Sequence, residues 1–265
     1  MKRIIGLVVL AIAAATLFTV GAQSPVDRVL TSGTISATGS GPPFLTPPCT
    51  ESILTLADCP LTGCGEMGDA ELNKAKNRTD APSKVVAMTL DEILRLPQPP
   101  SWNTGSERAS IRGRGREGSG VMVAGFLLKA KAEGKESCNC GLSRRVDTDV
   151  HIVMVSEMPA DTKNKEAMDT SEKTSVTAEI TPRVRGSNEK WLYRNVNDLE
   201  GSYIRLTGFL MLDTGHLPQT LQLQGERFHQ SLKRATNWEV HPITNIEVCT
   251  KSKKDCDRGK GWQKY

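Results

Sequence analysis

Five short segments rich in β-branched and apolar residues lie between Val121 and Cys249, which leaves the chain few options beyond a small barrel or sandwich. They are Val121–Ala130, Asp149–Glu157, Ser175–Val184, Tyr203–Asp213 and Trp238–Cys249. Gly125 sits in the middle of the first, where a strand glycine marks a bulge or a sharp bend. Between the third and fourth the period changes. Trp191, Val196 and Leu199 take helical spacing and Gly201 follows as a stop signal, so a short helix is predicted there.

The resulting order is β-β-β-α-β-β, with long polar connections after the second and fourth strands. With a glycine inside strand one, this pattern resembles the OB-fold, a five-stranded Greek-key barrel, over about Gly118 to Thr250. The resemblance implies a mainly β fold whose loops, Met158 to Thr174 and Leu217 to Thr236, form a recognition surface. Another small β-rich barrel or sandwich has the same element count, and function does not follow from fold alone.

The N-terminus reads as an address for export. Lys2 and Arg3 precede an uncharged run, Ile4 to Val20, and Val20-Gly21-Ala22 has the small-residue pattern of a cleavage site, giving a signal peptide over residues 1–22. A periplasmic or extracellular mature chain without a membrane-spanning segment is expected. Removing Lys2 and Arg3 takes the formal net charge from +4 to +2, which weakens the case for a polyanion or nucleic-acid partner. All seven cysteines fall after the signal, where thiols oxidise, so disulfides are expected with one cysteine left over. Cys59–Cys64 and Cys249–Cys256 are plausible pairs by proximity, with Cys49, Cys138 and Cys140 competing.

Composition divides the remainder. Residues 23–48 are Ser, Thr, Gly and Pro with few apolar anchors, as in a flexible leader. Residues 49–100 form a small cysteine-containing helical or irregular region, in which Thr89 and Glu92 make a capping box. Residues 101–119 are a basic Gly/Arg linker, residues 120–250 the barrel, and residues 251–265 a basic tail with Trp262 and Tyr265, read as solvated.

Polar residues recur at the strand ends. Three of the four histidines, His151, His216 and His241, lie in the motifs Asp149-Val150-His151, Asp213-Thr214-Gly215-His216 and Trp238-Glu239-Val240-His241. Strand alternation puts Asp149 with His151, and Glu239 with His241, on common faces. The three histidines are candidate ligands for zinc or a similar divalent ion, Glu179 and Glu239 candidate catalytic bases, and Asp149, Arg183 and Asp213 candidate ligand-binding groups. A satisfied polar network without a metal explains the same residues. Two functions follow as expectations: an exported binding module of unknown ligand, and a metal-dependent hydrolase acting on a phosphodiester or other polyanion.

Overall fold

The computed structural model describes residues 45–65, 68–96, 117–214 and 234–265. The expected signal peptide, nearly all of the leader, most of the basic linker, most of the second long loop and His216 lie outside the described residues. Among the described residues there are seven strands: β1 (Val86–Met88), β2 (Gly120–Ala132), β3 (Val150–Val155), β4 (Val176–Ile180), β5 (Tyr203–Leu212), β6 (Trp238–Cys249) and β7 (Trp262–Lys264).

Five of them close a barrel in the order β2-β3-β4-β6-β5 and back to β2. Closure depends on β2. Its first half, Gly120 to Phe126, pairs antiparallel with β5, while Phe126 to Ala132 pairs antiparallel with β3. A strand that serves two neighbours must bend, and its register with β3 shifts between Leu127 and Lys129, two residues beyond the expected position at Gly125. β5 and β6 also shift register around Gly208, where an added Cβ would sit 2.4 Å from the Pro242 carbonyl oxygen. Only glycine lets the two backbones come that close.

Alternate residues of these strands fill the interior. Val150, Ile152 and Met154 of β3, Val176, Ala178 and Ile180 of β4, and Trp238 and Val240 of β6 belong to one buried apolar cluster. Helix α1 (Ala70–Lys76) packs on β6, whereas α2 (Leu90–Leu94) packs against β2, β4 and β6 and contributes the fully buried Ile93 to the same core. The predicted capping box starts α2: Thr89 Oγ1 accepts the Glu92 N–H at 3.1 Å, and the Glu92 carboxylate accepts the Thr89 N–H at 2.7 Å.

Three further expectations change. The third segment stops being a strand at Ile180, because Thr181 accepts the Val184 N–H and Pro182 opens a helical turn, α4 (Pro182–Arg185). The loop from Met158 to Thr174 contains a helix, α3 (Lys165–Glu172), started by Asn164. The helix-like segment before β5 is split into short pieces, of which α5 (Tyr193–Val196) buries Val196.

The C-terminal segment is not a solvated tail. Helix α6 (Lys253–Asp257) and β7 fold back on β6, clamped by the Cys249–Cys256 disulfide and turned by Gly259 and Gly261 at φ of 81° and 86°. The other disulfides are Cys49–Cys64 and Cys59–Cys140, so the expected Cys59–Cys64 pair does not form. Cys138 is a buried free thiol. No described helix is long and apolar enough to cross a membrane.

Candidate functional site

Strand alternation that points Ile152, Ala178 and Val240 inward points His151, Glu179 and Glu239 to the outer face of the barrel wall. On a sheet with one covered face that outer set faces water. Here it does not: Glu179 and Glu239 are fully buried and His241 is 1% exposed. The cover comes from α1 and from the segment Glu133 to Asp149, which carry Asn73, Lys76, Cys138 and Asp149 as buried polar residues. Cys59–Cys140 ties the loop before α1 to the second of these segments, and Asn77 Nδ2, at the end of α1, donates to the Leu61 and Cys138 carbonyls at 3.0 and 2.8 Å. The cysteine-containing region upstream of the barrel and the connection between β2 and β3 thus form a roof over polar side chains.

Under the roof the strands bring the groups into one chain of contacts. His151 and Glu179 are direct partners in the β3–β4 register, and the His151 Nε2 meets the Glu179 carboxylate while its Nδ1 lies 2.8 Å from Glu133. His241 Nδ1 lies 2.9 Å from Glu239 and 3.2 Å from Glu179, and its Nε2 faces Asp149 at 3.5 Å. Arg234 bridges Glu239 at 2.9 Å and Asp213 at 3.2 Å. Lys76 donates to Glu136 at 2.8 Å.

Charge decides what this cluster needs. Among the described residues, the ion pairs of Glu133, Glu136, Asp149, Glu179 and Glu239 involve two permanent cations, Lys76 and Arg234, beside the two imidazoles. Arg183 and Arg185 point their guanidinium groups elsewhere: Arg183 donates to Asn77 at 3.0 Å and to the Cys59 carbonyl at 2.5 Å, Arg185 to the Val146 and Thr148 carbonyls at 2.7 and 3.2 Å. Even with both imidazoles protonated the carboxylates remain in excess, and uncompensated buried charge is costly.

Protonation follows from that excess. Burial works against charged imidazoles, yet the Glu179 charge overcomes it, and with hydrogen bonds to Glu133 and Glu239 raises His151 and His241 to about 10. Burial would raise Glu179, but the two imidazoles and Lys76 hold it well below the ordinary carboxylate range. Asp149 is pushed up to about 6, by burial first; the His241 contact opposes this, and the charges of Glu136 and Glu179 add to it.

Satisfaction is incomplete within this cluster, His151 Nε2 included, as it is at Asn139 Nδ2, Trp191 Nε1 and Asn237 Oδ1. Neither oxygen of Asp149 nor of Glu179 meets hydrogen-bonding geometry with any donor, and His241 Nε2 also has no hydrogen-bond partner. Ligand atoms of these same three residues lie within 4.8 Å of one another. Buried polar atoms without hydrogen-bond partners are rare in native proteins, and a cation held among these three residues would add to the ion pairs Glu179 makes with the two imidazoles. A carboxylate pair with an imidazole is a donor set that zinc and similar divalent ions accept. His241 also lines a cleft of about 400 Å³ with Lys74, Arg78, Glu117 and Phe209. Arg78 stacks 3.3 Å above the Phe209 ring and forms two hydrogen bonds with Asp80.

The structure therefore brings together His151, Glu179, Glu239, His241, Asp149 and Asp213, while Arg183 serves the roof and His216 lies outside the described residues. Sequence reasoning missed Arg234, Lys76, Glu133 and Glu136. Arg234 had a signal, since it lies five residues before Glu239, but single cations are ordinarily assigned to solvent. No protein-family model matches the chain, and no curated protein or solved structure matches it either.

Proposed function

We propose that this protein is an exported metal-dependent hydrolase in which Asp149, Glu179 and His241 hold a divalent cation and the adjoining cleft receives an anionic ester, such as a phosphodiester. The carrying observation is the convergence of buried carboxylate and imidazole atoms without hydrogen-bond partners, in a cluster already over-supplied with negative charge. Disulfides and an N-terminal run of signal-peptide type support export.

A bound cation supplies acidification of a water and polarisation of a phosphoryl oxygen. The chain's own residues do the rest. Glu239 fixes the His241 ring through Nδ1, which presents Nε2 on the Asp149 side. Arg234 holds the Glu239 carboxylate in place. His151 lies next to the ligands as a group that holds a proton. Lys74 and Arg78 line the cleft beside Asp80 and Glu117, so its wall carries charges of both signs. A cation would have to displace the proton held by His241, so binding is expected to weaken in acid.

A second cleft, of about 620 Å³, favours the binding-module reading: Tyr203 and Trp262 line it, 5.6 Å apart, with Arg205 over Trp262 and Lys253 over Tyr203. One experiment separates the two. Elemental analysis and bis(p-nitrophenyl) phosphate turnover are compared for the wild type, Glu179→Gln and His241→Gln. Bound metal with turnover, both lost in the variants, supports the hydrolase. Metal without turnover on any ester tested leaves the binding module, and no metal in the wild type overturns the metal centre.

A further inference from the structure

The one cysteine left out of the disulfides sits against the same cluster. Cys138 is 2% exposed, and its thiol donates to Glu136 Oε2 at 3.1 Å. Ligand atoms of Glu136, Cys138 and Asp149 also lie within 4.8 Å of one another. Asp149 belongs to both groups of three, it is 1% exposed, and neither of its oxygens has a hydrogen-bond partner. A carboxylate with two unpartnered oxygens between two sets of donors has the form of a bridge.

We propose that the centre holds two cations, with Asp149 bridging a site formed with Glu179 and His241 and a second formed with Glu136 and Cys138. The inference rests on the metal centre proposed above and adds its nuclearity and the class of ion. Bridged pairs about 3.5–4 Å apart are a recurrent hydrolytic arrangement. A thiolate ligand selects borderline-soft ions such as zinc and cobalt over magnesium and calcium. Lys76 does not occupy the second site's donors completely: its bond to Glu136 and that of Cys138 both fall on Oε2, which leaves Oε1 to turn towards a cation. With Lys76 retaining Oε2, the added charge of a thiolate is partly offset.

The segment around Cys138 explains why its sulfur stays unpaired. Cys140, two residues on, reaches outward to Cys59, and the positive φ of 55° at Cys140 turns the chain between them. Cys138 is left facing the wall, and its own backbone carbonyl accepts Asn77 Nδ2 at 2.8 Å, which pins the loop. Because the roof carries one donor set and the wall the other, the two would be brought together only when the roof is seated.

The test uses the full mature chain with its disulfides intact, stripped of metal and titrated with cobalt and with zinc. The wild type is expected to bind about two equivalents and to show a near-ultraviolet thiolate-to-cobalt charge-transfer band. Cys138→Ser should lose the band and one equivalent while keeping the other, and Cys138→Ala guards against a serine that ligates in its place. Near-ultraviolet circular dichroism confirms that each variant folds. One equivalent in the wild type with no charge-transfer band overturns the second site and leaves the single centre standing. No binding in any chain overturns both.

Discussion

The two faces of the β3–β4–β6 wall are built from neighbouring residues yet obey different physics. Ile152 and Ala178 belong to a buried apolar core, and their contribution is set by area removed from water. Glu179 is as deeply covered on the other side, and His151 nearly so, but among groups that must each find a partner. The inner face tolerates small changes of shape. The outer face tolerates no loss of a partner, because what remains is an unpaired buried charge.

Substitutions can break or sharpen that contrast. The largest effect is expected from Cys59→Ser with Cys140→Ser, which unties the roof across 81 residues and should cost about 4 kcal/mol. Equilibrium denaturation would measure it, and if cation affinity survived unchanged, the roof would not be needed for the site. Next, Glu179→Gln removes the charge that both imidazoles face and should cost about 3 kcal/mol in metal-free protein, read by the same denaturation. On the inner face, Ile152→Val, at the position paired with Ala178, should cost only about 1 kcal/mol and leave cation binding untouched.

The smallest effect concerns acid. Burial raises Glu133, but its hydrogen bond and charge contact with His151 more than compensate, so its pKa lies below 4.5. Its contribution to stability is therefore present above pH 4.5 and is lost as pH falls through the lower folded value. In an acid titration followed by circular dichroism, Glu133→Gln should show less loss of stability over that range than the wild type. An identical acid limb would remove Glu133 from the account.

The inner face could be read from sequence because it depends on period alone. Trp238–Cys249 was bounded as expected, and the capping box at Thr89 and Glu92 was found where predicted. The alternation that placed Asp149 with His151, and Glu239 with His241, also identified much of the outer set. What period could not supply was the cover. A polar residue alternating with apolar ones looks the same whether water or a roof lies over it. Nothing in the period set Lys76 or Arg234 apart from a solvated cation, although both are buried. Cys59–Cys140 links residues 81 apart, while proximity favoured Cys64, and Thr181-Pro182 ended a strand whose composition ran on to Val184.

The central claim is that this covered outer face holds a cation rather than a self-sufficient set of ion pairs. Anomalous diffraction from crystals of the mature chain grown with zinc tests it most directly. The account predicts a peak within coordination distance of Asp149, Glu179 and His241. A map with no peak there, and with those carboxylates hydrogen-bonded to protonated imidazoles, would contradict it.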